Sequence, residues 1–95
     1  MKDVIYKFLD KYVGDNYSLR STPDNEFHSL YFDENSIILS FKVNYWKKVT
    51  IFRFSGLCKV VSDFFSIDKK EAGDHIEKWF CEKHKLEKIE DVLKK

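Results

Sequence analysis

The sequence predicts an α+β fold with two layers, in which helices cover one face of a four-stranded antiparallel sheet. Two observations support this prediction. Apolar residues recur at the odd positions of 37–43, with polar residues between them from residue 40 onward, which is the two-residue period of a strand with one buried side. Residues 3–13 and much of 56–94 instead repeat apolar side chains every three to four positions, as helices do. The predicted order is helix, strands, helices, in a single domain spanning 1–95.

The first helix is predicted over residues 3–13, where apolar residues form one stripe and Gly14 supplies a stop. A meander of consecutive antiparallel strands follows it. The predicted strands are 17–22, 27–33, 36–45 and 48–55. The segment 22–25 separates the first two strands and has Pro23 at the second position of a β-turn.

The register of the sheet is predicted from two loops of two residues each, at 34–35 and 46–47. Phe41 should then lie opposite both His28 and Phe52, and Leu39 opposite Leu30. A shift of one residue would move every side chain of a strand to the other face. The predicted inner face consists of Tyr17, Leu19, His28, Leu30, Phe32, Ile37, Leu39, Phe41, Val43, Thr50, Phe52 and Phe54.

The later part of the chain reads as two or three helices packed on one sheet face. A short helix is predicted over 56–65. A second helix has a strong start signal, because Asp68 is a good N-cap and Glu71 stands at the capping-box spacing. It should extend to about residue 84. Residues 87–94 are also helical in pattern, and the sequence leaves open whether they continue that helix or form another.

Candidate catalytic groups are few, and we predict that the protein is not an enzyme and carries no cofactor. Cys81 and His84 are three residues apart on the predicted helix and share a face, yet no third group is evident to orient them. The spacing of Cys58, Cys81 and the histidines is also poor for a metal site. His28 falls on the inner sheet face, where a hydrogen-bonded core histidine is the expected role.

Composition limits the classes of partner. The net charge of +1 gives neither the basic excess of most polyanion binders nor the acidic excess of a nucleic-acid mimic. No apolar run approaches a membrane span and no secretory signal is visible, so we expect a cytoplasmic protein without a membrane partner. Fifteen lysines against two arginines suggest an AT-rich genome, which would suit an accessory protein of a phage or mobile element.

The outer sheet face and the 45–48 loop are the predicted contact surface, and a protein is the predicted partner. The sequence leaves open whether the N-terminal helix covers this face or Trp46 folds over the sheet edge instead. Aromatic residues beside lysine and arginine are typical of interface hot spots. We therefore expect a small binding protein, such as a regulator, inhibitor or adaptor. The predicted partner-binding residues are Phe27, Tyr31, Ile38, Ile51, Arg53, Tyr45, Trp46 and Lys47.

Two alternatives remain open at this point. One is nucleic-acid binding, because lysines next to aromatic residues or at a helix start can hold phosphate. Its predicted residues are Lys47, Lys48, Lys69 and Lys70. The other is a homodimer in which the outer sheet face pairs with its own copy.

Overall fold

The computed structural model of the chain describes residues 1–53 and 56–94, and it confirms the α+β class. The helices are α1 (Lys2–Tyr12), α2 (Leu57–Phe65) and α3 (Lys69–Lys83), followed by a 3₁₀ helix (Ile89–Lys94). The strands are β1 (Ser18–Ser21), β2 (Phe27–Phe32), β3 (Ser36–Val43) and β4 (Val49–Phe52). They form one antiparallel sheet in the order β1-β2-β3-β4, which is the predicted meander.

The helices cover one face of the sheet. Helices α2 and α3 pack on each other and on β3, and α1 packs on α3. The core between the layers includes Phe41 from the sheet, Phe80 and Ile76 from α3, and Ile5 and Leu9 from α1, all fully buried. Full burial of a large apolar side chain contributes roughly 1.5–3 kcal/mol, so this layer stabilises the fold.

Helix α3 begins where the capping signal predicts it. The Asp68 carboxylate accepts a hydrogen bond from the Glu71 backbone N–H at 2.7 Å. The helix ends at Lys83, and Lys85 takes the left-handed conformation with φ of 58°. The Leu86 N–H donates to the Cys81 carbonyl oxygen, as in a Schellman cap. The last segment is therefore a separate 3₁₀ helix and not a continuation of α3.

The register of β1 with β2 is the predicted one. Leu19 lies opposite Leu30 and Ser21 opposite His28. The turn before β2 also forms as expected, because the Asn25 N–H donates to the Thr22 carbonyl oxygen at 2.8 Å. Leu30 in turn lies opposite Leu39 of β3, so the centre of the sheet is assembled as predicted.

The connection from β2 to β3 differs from the prediction near its turn. Phe32 lies opposite Ser36, so the loop has three residues (33–35) and not two. The register then shifts next to Leu30, where Ile38 is the extra residue of a β-bulge. The bulge turns Ile38 into the core, fully buried, and places Ile37 opposite Tyr31. The predicted outer position of Ile38 is wrong, and so is the predicted pairing of Ile37 with Phe32.

The β3–β4 turn also has three residues (45–47), and here no bulge restores the register within the described strands. Asn44 explains the turn, because its side-chain oxygen accepts hydrogen bonds from the Trp46 and Lys48 N–H groups, both at 2.9 Å. Lys47 adopts φ of 65°, the left-handed residue that follows a type I turn in such hairpins.

The longer turn changes which side of β4 faces the helices. Phe41 lies opposite Ile51 and Val43 opposite Val49. Thr50 and Phe52, predicted to face inward, lie on the outer face. The predicted pairing of Leu39 with Phe54 falls outside the described residues.

Candidate binding surfaces

Three of the five residues predicted for the outer sheet face do not lie on it. Ile38 is buried by the bulge, and Ile51 packs against the core from the inner face. Arg53 lies beneath α3, where its Nε is 3.1 Å from an Asp74 carboxylate oxygen. The outward placement of these three residues is wrong, because the turn lengths differ from the two-residue loops on which it depended.

Residues of α3 accommodate the side chain of Arg53, although the sequence does not indicate that α3 lies next to this part of the chain. Its guanidinium group also lies 3.6 Å from Glu77. A methyl group added at Gly73 would come within 2.5 Å of the arginine side chain, so only glycine allows this close approach. Burial raises the pKa of Glu77, although the positive charge of Arg53 opposes that rise.

The outer sheet face does carry Phe27 and Tyr31, as predicted. Phe52 joins them, and its ring stacks on Phe27 with 6.4 Å between ring centroids. Two cations lie over these rings: the Arg20 guanidinium is 4.1 Å from the Tyr31 centroid, and the Lys42 ammonium is 5.1 Å from the Phe27 centroid. Such contacts are cation–π interactions.

The remaining outward positions of the strands carry hydroxyl groups. Ser29 and Ser40 share a hydrogen bond of 2.9 Å between their hydroxyl groups at the centre of the face. Helix α1 packs on α3, on the opposite side of the sheet, and so does not cover this face. We call the outward-facing strand residues the outer sheet face. They are Ser18, Arg20, Phe27, Ser29, Tyr31, Ser40, Lys42, Thr50 and Phe52.

The β3–β4 turn projects its aromatic residues into solvent. Trp46 is 78% exposed and Tyr45 87% exposed, and their rings contact each other edge to face. Lys47 lies beside Val49 and Leu93, between the turn and the 3₁₀ helix. The predicted involvement of these three residues in binding stays a prediction.

The lysines predicted for nucleic-acid binding lie on two different elements. Lys47 and Lys48 belong to the β3–β4 turn. Lys69 and Lys70 occupy the first turn of α3, where both are exposed. The structure thus offers no single element that carries all four.

A second exposed surface lies on the helical side and was not predicted. Val4 is 58% exposed and Phe64 67% exposed, and Tyr12 is nearly half exposed. Phe8 joins the two helices, because its ring stacks on both Tyr12 and Phe64 at centroid distances of 5.1 and 4.9 Å. We call these four residues the helical apolar surface.

A groove of about 370 Å³ adjoins this surface at Tyr12. Its walls include Phe32 and Ile37 from the sheet and Leu57 and Val60 from α2. The polar side chains of Asn35 and Ser36 lie at its border. The groove could receive one large apolar side chain of a bound molecule.

A signal for the helical apolar surface was present in the sequence. The apolar residues of α1 form a wide stripe, and the structure completely buries only two of them, Ile5 and Leu9. The sequence does not show which part of the stripe is exposed, because the position of α2 beside α1 is not encoded locally.

The thiols of Cys58 and Cys81, the potential nucleophiles, are buried. Burial raises the pKa values of the Cys58 and Cys81 thiols to about 11. A thiol that is protonated at neutral pH is a poor nucleophile. His28 is fully engaged: Nδ1 lies 2.7 Å from the Ser21 hydroxyl, and Nε2 lies 3.0 Å from the Asn25 carbonyl oxygen.

The described residues contain neither a metal-binding cluster nor a membrane-spanning helix. No group of three or more histidine, cysteine, aspartate or glutamate side chains is placed to hold a metal ion among residues 1–53 and 56–94. Within the same ranges, none of the helices has the length and apolar character needed to cross a bilayer.

Comparison with family models, with curated proteins and with solved structures finds no match for this chain.

Proposed function

We propose that this protein is a non-enzymatic intracellular binding protein that acts through a protein–protein interface, as a regulator, inhibitor or adaptor. The observation that carries the proposal is the helical apolar surface, where Val4, Phe8, Tyr12 and Phe64 adjoin an apolar groove. The two free, buried cysteines and their raised thiol pKa values support an intracellular and non-catalytic role.

The cost of leaving this surface in water supports a partner for it. Contiguous exposed apolar residues on a soluble domain mark interaction sites more often than isolated ones do. Phe64 is a large apolar side chain at the end of α2. Its ring contacts Phe8 and Phe65, yet Phe64 remains 67% exposed. Burial of such a ring against a partner would contribute roughly 1.5–3 kcal/mol.

The charges beside the surface indicate what the partner presents. Lys7 and Lys11 are exposed on α1, one turn apart and next to Val4 and Phe8 along the helix. A partner with an apolar helix face flanked by carboxylates would match both features. Its apolar residues would cover Phe8 and Phe64, and one of them would enter the groove.

The test compares two sets of exposed aromatic and aliphatic residues. The double variant Val4→Ser, Phe64→Ser removes apolar area from the helical surface. Trp46→Ser is the comparison variant, because Trp46 is also largely exposed and tests the β3–β4 turn, where the sequence predicts part of the interface. Each tagged protein is used to capture proteins from the source cells, and any captured protein is then purified and its affinity measured by calorimetry.

We expect the purified partner to bind the Trp46→Ser variant as tightly as the wild type and the double variant at least tenfold more weakly. Thermal unfolding should be nearly unchanged in both. Equal affinity for the double variant and the wild type would overturn the proposed interface. Loss of binding in the Trp46→Ser variant alone would assign it to the turn instead.

A further inference from the structure

The outer sheet face has an unequal distribution of charge although the whole chain is nearly neutral. Arg20 and Lys42 are the charged residues at the outward positions of the described strands, and both are cations. The other outward positions carry hydroxyl groups and aromatic rings. This face is therefore complementary to an anion, whereas the acidic residues of the chain lie in its helices and loops.

The aromatic rings narrow the class of anion. Phe27 is 43% exposed, and Tyr31 and Phe52 are each half-buried on the same face. Each ring carries or adjoins a cation: Arg20 lies over Tyr31, and Lys42 lies over Phe27, which stacks on Phe52. Alternating flat rings and positive charges match a ligand that alternates flat bases with phosphates.

Single-stranded nucleic acid fits this face better than a duplex does. Bases of a single strand can separate and stack on aromatic side chains, whereas bases in a duplex are already stacked on each other. The face is also shallow, because its central residues are Ser29 and Ser40. An unpaired strand could lie directly on it.

We propose that the outer sheet face binds single-stranded nucleic acid without strong sequence preference. Bases stack on Phe27 and Tyr31, and Arg20 and Lys42, which lie over these rings in the free protein, turn to contact one phosphate each. This site is separate from the helical apolar surface, so the inference stands apart from the proposed protein partner. It differs from the earlier expectation for Lys47, Lys48, Lys69 and Lys70, since none of those residues is on this face.

The proposal gives a quantitative salt dependence. Each neutralised phosphate of a single strand contributes about −0.7 to the slope of log affinity against log salt. Two phosphate contacts predict a slope of about −1.4. Affinity should then fall about sevenfold between roughly 50 and 200 mM salt.

The experiment measures fluorescence anisotropy of a labelled short oligothymidylate with the full chain, over a series of salt concentrations. The same titration is performed with a labelled duplex and with a labelled oligoglutamate peptide. The peptide has negative charges without bases, so it tests whether the face instead accepts an acidic protein segment.

Two single variants test the cations, and one tests stacking. Arg20→Gln and Lys42→Gln should each weaken binding and bring the slope about 0.7 closer to zero. The matched control is Lys78→Gln, an exposed lysine of α3 on the other side of the molecule, which should change neither quantity. Phe27→Ala should weaken binding about fivefold or more with the slope unchanged, because it removes a stacking platform and no charge.

The cation variants keep the test informative if Phe27→Ala unfolds the sheet, which circular dichroism would detect. The expected result is binding of oligothymidylate that is tighter than binding of the duplex or the peptide. Failure to bind at the lowest salt would overturn the proposal, as would slopes that Arg20→Gln and Lys42→Gln leave unchanged. Tighter binding of oligoglutamate would assign the face to an acidic protein. None of these results bears on the Val4 and Phe64 interface.

Discussion

The two hairpins that contain β3 have turns of the same length but opposite consequences. Both turns have three residues, and each uses one residue in the left-handed region, Asp33 in the first and Lys47 in the second. In the β2–β3 hairpin the bulge at Ile38 absorbs the extra residue, so the register at Leu39 returns to that of a two-residue loop. In the β3–β4 hairpin nothing within the described strands absorbs it, and β4 exposes the opposite side.

A one-residue difference in turn length is tolerated where other residues compensate for the change in register. Because the two sides of β4 are exchanged, Arg53 lies beneath α3. Burial in this position would be costly for an unpaired cation. Asp74 and Glu77 provide the compensating charges, and Gly73 provides the space. Reversal also adds Phe52 to the outer sheet face.

The bulge can be tested by truncating the two isoleucines beside it. Ile38→Ala should lower the free energy of unfolding by about 2–5 kcal/mol, because Ile38 is fully buried. Ile37→Ala is the matched control and should cost about 1 kcal/mol or less, because Ile37 is only half-buried. Urea unfolding measures both. A larger loss for Ile37→Ala would show that the register continues without a bulge.

The position of Arg53 can be tested through the glycine that it contacts. Gly73→Ala should destabilise the protein by about 1–3 kcal/mol, because the added methyl group overlaps the arginine side chain. In an Arg53→Ala background the same change should cost clearly less, because the close contacts with Cγ and Cδ are removed and only the contact with Cβ, at 2.9 Å, remains. A double-mutant cycle in urea measures this coupling. Additive effects would mean that Arg53 is not beneath α3.

The β3–β4 turn can be relaxed at its left-handed residue. Lys47→Gly should raise the free energy of unfolding by up to about 1 kcal/mol, because glycine adopts the observed φ of 65° without a steric penalty. Lys48→Gly is the control at the adjacent position, where a freer backbone should destabilise the fold slightly. If Lys47→Gly proved no better than Lys48→Gly, the turn would not require a left-handed residue at position 47.

The smallest effect concerns the acidic partner of Arg53. The pKa of Glu77 is raised above its ordinary value of 4.5 by burial, so the folded protein holds this proton more tightly than the unfolded chain does. Stability from this group is therefore present at low pH and is lost as pH rises above about 4.5. Glu77→Gln should gain stability relative to the wild type by up to about 1 kcal/mol between acidic and neutral pH.

The matched control is Glu87→Gln, which alters an exposed carboxylate of the loop before the 3₁₀ helix. Urea unfolding at several pH values should show no such gain for that variant. A relative loss of stability for Glu77→Gln at neutral pH would mean that attraction to Arg53 outweighs the cost of burying the carboxylate.

Local sequence signals predicted most of the helices, strands and turns. They succeeded where all the residues that determine an element lie in one short segment. The start of α3 depends on Asp68 and Glu71, which are three residues apart and bond directly. The turn before β2 depends on residues 22–25 alone. The candidate surfaces were harder to predict, because exposure depends on packing. Val4 and Phe64 look like core residues in sequence, and only the arrangement of α1 beside α2 leaves them in solvent.

Neighbouring residues alone specify the class of the fold, the order of its elements and the side that β1 and β2 present to the helices, because alternation and capping are local properties. The side that β4 presents depends on contacts between distant parts of the chain. Neither three-residue turn is marked by glycine, and the burial of Arg53 is favourable only because α3 brings Asp74 and Glu77 to it from a distant part of the chain. Both surfaces that we assign to partners depend on that long-range packing.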